Sequence, residues 1–166
     1  MRKIGTVLAG GLMLGIAACG QAPEGPPEKV AATAAPEAPP GISLSDARVQ
    51  LPAVSGRPGV AYFTISQSSG PPRQVAGVTV ELAGRTEMHE TMKKGEAMTM
   101  EPIETVPLES GKSVEFAPGG KHIMLFDLDP KLRFEDSVEL TVTFDGGDKA
   151  TAPARVTTVN DMEGMN

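Results

Sequence analysis

The residues in this 166-residue sequence best suited to chemistry are its two histidines and a concentration of methionines. Both histidines, His89 and His122, and five of the nine methionines fall between Met88 and Met124. A thioether is a poor ligand for zinc, calcium or magnesium and a good one for Cu(I), and imidazole suits copper as well. Taken singly, such residues read as core filler or as inert surface groups. Gathered in one short span, they point to a soft metal.

Spacing selects four of them. If Lys94-Gly95 forms a two-residue hairpin loop, His89 lies directly opposite Met100, with side chains close enough to share an ion. Met98 then shares their face opposite Thr91 and is an auxiliary donor, whereas Met88 and Met92 point the other way, toward a core. His122 and Met124 are two apart on an expected strand and share a face. Four candidate metal ligands follow: His89, Met100, His122 and Met124.

The elements that must position them read as strands. From Ile42 onward, short alternating runs are broken by Gly and Pro, and strands are expected over 42–51, 60–66, 74–82, 86–92, 97–103, 113–116, 122–128, 138–144 and 150–157. Ser110-Gly111, Pro118-Gly119-Gly120 and Asp145-Gly146-Gly147 supply turn chemistry between them. Many short strands at this spacing imply an all-β antiparallel sandwich or barrel.

The rest of the chain says where the domain works. Arg2 and Lys3 precede an uncharged apolar stretch over 4–18, too short and too glycine-rich for a stable span, which reads as a secretory signal over 1–18. Ile16-Ala17-Ala18-Cys19 resembles a lipobox, which makes Cys19 the expected lipidation site. Residues 19–41, rich in Pro, Ala, Gly and Glu, read as a flexible tether, residues 42–157 as the folded domain, and 158–166 as a frayed tail carrying Met162 and Met165. The expected location is extracytoplasmic, on a membrane through the lipid. Gly20 in place of an aspartate favours the outer membrane in a Gram-negative source.

Cys19 is the single cysteine. Once acylated it leaves no disulfide framework and no thiolate ligand, and the His2Cys set of an electron-transfer cupredoxin is absent. The formal charge of −6 becomes −8 once Arg2 and Lys3 are cleaved off, and aromatic residues make up 4% with no tryptophan. That balance argues against nucleic acid as a partner. With no Ser-His-acid set and no phosphate loop, an enzyme is not expected.

The spacing also carries a resemblance. His89, ten residues, Met100, twenty-one residues, His122, Ile123, Met124 matches the ligand pattern of the periplasmic copper chaperone family PCuAC. The surroundings 84–90, 98–102 and 118–125 are similar to the family, as are 60–65 and 138–144, so the likeness spans about 42–157. One departure is Arg48 after Asp46-Ala47, where the family often has tryptophan. The resemblance implies a cupredoxin-like Greek-key β-sandwich, monomeric, with an exposed Cu(I) site. It also implies delivery of copper to an acceptor protein, the oxidase subunit carrying the CuA centre of cytochrome c oxidase, beside a Sco-type protein. A copper storage or resistance lipoprotein with no dedicated acceptor is the alternative. Imidazole must be neutral to bind metal, so copper affinity is expected to fall below about pH 6.5, the ordinary histidine range.

Overall fold

A computed structural model of the chain describes residues 37–159. The expected leader, Cys19, most of the tether, and the tail with Met162 and Met165 lie outside the described residues. Ten strands follow in order: β1 (Ile42–Gln50), β2 (Gly59–Gln67), β3 (Arg73–Val80), β4 (Ala83–Lys94), β5 (Ala97–Pro102), β6 (Val106–Leu108), β7 (Lys112–Phe116), β8 (Lys121–Leu128), β9 (Ser137–Phe144) and β10 (Lys149–Thr157). Hydrogen bonds join them in the order β5-β4-β8-β7-β2-β1-β10-β9-β3-β6, with β8 also pairing β2. The crossovers are those of a Greek key, as expected.

Period-two patterning builds this fold. On β9, Val138, Leu140, Val142 and Phe144 are all buried, and on β10 Ala150, Ala152, Ala154 and Val156 are. The ladder sets large against small, with Leu140 opposite Ala152 and Val142 opposite Ala150, so the inner layer interdigitates without overfilling. Phe63 on β2 faces Phe116 on β7, and their rings stack with centroids 4.4 Å apart. Across the barrel, Thr86 Oγ1 donates to the Val78 carbonyl and ties β4 to β3.

Nine of the ten strands overlap the sequence expectation. β6 was not anticipated, because its three residues centre on Pro107, which cannot donate to a ladder. It pairs only with β3 and ends the sheet order, where proline is tolerated. The tether also stops sooner than expected. Glu37 and Thr151 exchange backbone hydrogen bonds of 3.2 and 2.6 Å, so Glu37 already bridges to β10.

Arg48 follows a bulge in β1 at which Asp46 takes φ 55°. Its guanidinium lies 5.0 Å from the centre of the Tyr62 ring. Burial pushes the Tyr62 phenol above its ordinary value of 10.0, and the Arg48 charge pulls it partly back. The fold therefore favours the neutral phenol. That contribution to stability is complete below pH 10 and is lost as pH rises through the folded value. Tyr62 is the only tyrosine, so ultraviolet titration reads it alone. The folded chain should ionise above pH 10, the urea-unfolded chain near it, and Arg48→Ala should raise the folded midpoint further.

Candidate metal centre

The β4–β5 hairpin turns one residue later than the sequence reading placed it. Lys94 pairs with Ala97, so Gly95-Glu96 is the loop rather than Lys94-Gly95. Gly95 has φ 65° while Glu96 is not among the positive-φ residues. This is the glycine-first pattern of a II′ turn, which suits the right-handed twist of the flanking strands. Three positional expectations are corrected by it. His89 faces Pro102, Met100 faces Thr91, and Met98 faces Lys93. Because the partner shifts by two, the faces are unchanged. His89 and Met100 are diagonal neighbours on one face, about 7–8 Å apart and still within reach of a long side chain.

The second correction concerns the core. Met88 is buried as expected, but Met92 is 36% exposed. It sits near the hairpin tip, beyond the level at which β4 still covers the core.

β8 brings the remaining candidates in. His89 lies directly opposite His122, Met88 opposite Ile123, and Glu87 opposite Met124. Met88 and Ile123 turn inward and are buried, so by alternation His89, His122, Met124 and Glu87 share the outward face. The two imidazole centroids stand 6.0 Å apart. Met124 also pairs with Val60 of β2, which sets the β8 row into the wall of the barrel. The four residues chosen by spacing therefore occupy one patch built by β5, β4 and β8, with Met98 further out on the same face.

Exposure is graded across the patch. His122 is 5% exposed, the His89 side chain 17%, and Met98 and Met100 61% each. Two acceptors orient the imidazoles. Gly120 O accepts from His122 Nδ1 at 3.0 Å and from the Thr91 N–H at 3.1 Å. The Glu87 carboxylate meets His89 Nε2 at 3.0 Å and is held from its other oxygen by Arg85. The Arg85 guanidinium in turn lies 3.9 Å from the centre of the Phe126 ring. Glu87 and Gly120 were not singled out from the sequence. Glu87-Met88-His89 places the carboxylate on the histidine's face by strand alternation alone, so period two was the available signal. Gly120 depends on loop conformation and left none.

As a donor set, two neutral imidazoles beside thioethers suit a soft ion. Among the described residues, no group of three or more His, Cys, Asp and Glu side chains is placed to hold a metal.

Known proteins share this architecture. The copper-bound PCuAC domain from PmoF2 superposes with a TM-score of 0.59 at 20% identity, covering 75% of this chain and 99% of that one. CuI-DR1885 from Deinococcus radiodurans gives 0.53 at 25% identity, over 73% of this chain and 80% of that one. The class is therefore the PCuAC-type β-sandwich, as the resemblance implied. Residues 42–156 match the model described as "Putative lipoprotein LpqE-like", and the chain belongs to that LpqE-like family. A relative in Leifsonia xyli subsp. xyli, "Putative lipoprotein Lxx21020", is 32% identical over 127 residues, which is 76% of this chain and 74% of that protein.

The exposure gradient predicts an order of oxidation. Under mild peroxide, peptide mass spectrometry should find Met98 and Met100 converted to sulfoxide well before Met88, which should react only when the domain is unfolded.

Proposed function

We propose that this chain is an extracytoplasmic copper carrier that holds Cu(I) through His89, Met100, His122 and Met124 and passes it to an acceptor protein. The observation that carries the reading is the His89–His122 cross-strand pair, with Met124 two residues along β8 and Met100 diagonal to His89 on β5, all on one face. The likeness to the copper-bound PmoF2 domain and to CuI-DR1885 supports both the metal and its oxidation state. The lipoprotein family supports attachment through Cys19 to a membrane outside the cytoplasm.

The graded exposure suggests how the ion is handed on. His122 is buried and tied to a backbone carbonyl, so it serves as the fixed end of the cage. Met100 stands in solvent on an edge strand and is the donor an incoming thiolate displaces first. Thioethers bind no proton at any physiological pH, so the site loads and unloads by ligand exchange rather than by deprotonation of sulfur. The acceptor this suits is rich in thiolates, and the CuA-bearing subunit of cytochrome c oxidase, reached directly or beside a Sco-type protein, is the destination we assign.

A Cu(I) competition titration of the chain from Gly20 onward tests the site. One equivalent should bind, and a Met100→Ala, Met124→Ala double variant should lose about 100-fold or more in affinity, since loss of an outer-sphere partner alone costs about 10–100-fold. Wild-type and double variant binding alike would overturn the site. Deleting the gene should depress oxidase activity under copper limitation; a loss of copper tolerance with normal oxidase activity would instead identify a storage protein.

A further inference from the structure

The two histidines are held through opposite ring nitrogens. A backbone carbonyl can only accept, so the Gly120 contact requires the proton of neutral His122 on Nδ1 and leaves the Nε2 lone pair free. A carboxylate engaged by arginine likewise only accepts, so the Glu87 contact requires the proton of neutral His89 on Nε2 and leaves Nδ1 free. The fold thus prepares one histidine as an Nε2 donor and its cross-strand partner as an Nδ1 donor.

We infer that Glu87 is a positioning residue which makes His89 an Nδ1 ligand, so that copper is held between Nδ1 of His89 and Nε2 of His122. The inference rests on the copper reading above and specifies which atoms act. Three features carry it. Arg85, Glu87 and His89 alternate along one face of β4, opposite Phe126, Met124 and His122, so the carboxylate is locked at the edge of the imidazole. Its other oxygen is anchored by Arg85, which is itself seated on Phe126. Rings with centroids 6.0 Å apart lie within the span that two metal–imidazole bonds of about 2.0–2.1 Å each can bridge. A carboxylate behind a ligating imidazole fixes its tautomer and raises its donor strength.

Long-range proton–nitrogen NMR on the 15N-labelled chain from Gly20 onward, at pH 8, reads this directly. Without metal, His89 should carry its proton on Nε2 and His122 on Nδ1. On adding Cu(I), the large nitrogen shifts should fall on His89 Nδ1 and His122 Nε2. Glu87→Ala should bind about 10–100-fold more weakly and let the shift on His89 move to Nε2. Glu87→Gln keeps an acceptor oxygen and should retain Nδ1 coordination with less than about a tenfold loss. A proton on His89 Nδ1 in the metal-free chain overturns the inference with no copper present. Wild-type binding through His89 Nε2, or Glu87→Ala binding through Nδ1 at full affinity, sinks it and leaves the copper reading standing. Histidines that ignore Cu(I) altogether sink both.

Discussion

The register between β4 and β8 is the constraint on which the rest depends. A slip of one residue would turn His89 toward the core and Met88 toward solvent, because side chains alternate strictly across a strand. Apolar burial prevents it. β8 contributes Ile123 and Leu125, both wholly buried, and β4 contributes Met88 opposite Ile123. Turning Ile123 and Leu125 outward would forfeit roughly 1.5–3 kcal/mol for each side chain exposed. The Thr86 bond to the Val78 carbonyl holds β4 at the same level from its other side. The placement of the proposed ligands on the outer face is thus specified largely by hydrocarbon on the inner one.

β5 stands in contrast. It ends the sheet order, and none of its six residues is buried. Its attachment is the β4 ladder, the Gly95-Glu96 turn and an exposed Lys94–Glu101 ion pair, a type of contact worth about 0–1 kcal/mol. Glu96, Glu101 and Pro102 blunt the edge against pairing with another strand. A sulfur carried on such a strand can shift without disturbing the core, whereas His122, buried opposite His89 of β4 with its Nδ1 on a carbonyl, cannot. The two imidazoles and Met124 sit on β4 and β8, and only Met100 sits on the looser β5, a division that would suit the proposed holding and release of an ion.

What was legible in the sequence divides along the same line between local and distant. Alternation in Val138-Glu139-Leu140-Thr141-Val142 and the glycine turns are local signals, and they located most strands. The His89–Met100 face relation survived an error in turn placement because the true loop shifts the partner by two rather than one. Met92 departs from its expected burial because alternation gives direction and not depth, and the hairpin outruns the core it would have packed on. β6 was hidden by Pro107. The pairing of His89 with His122 was beyond local reasoning altogether. It joins residues 33 positions apart through two strands that are not neighbours in sequence, and the ligand spacing only implied that they meet.

Charge makes the last distinction. Two imidazoles and two thioethers contribute none, and the nearest carboxylate, Glu87, is already shared between Arg85 and His89. A divalent hard ion entering this patch would meet one partly neutralised carboxylate and soft, neutral sulfur in place of the oxygen donors that compensate its dehydration. A monovalent soft ion asks for much less, because polarizable thioethers match its bonding and its single charge needs less compensation. The proposed selectivity for Cu(I) would then follow from what the face withholds as much as from what it supplies. The withholding is built into the strand, since alternation turns the nearby Glu90 to the opposite face, where it pairs with Lys121 at 2.7 Å.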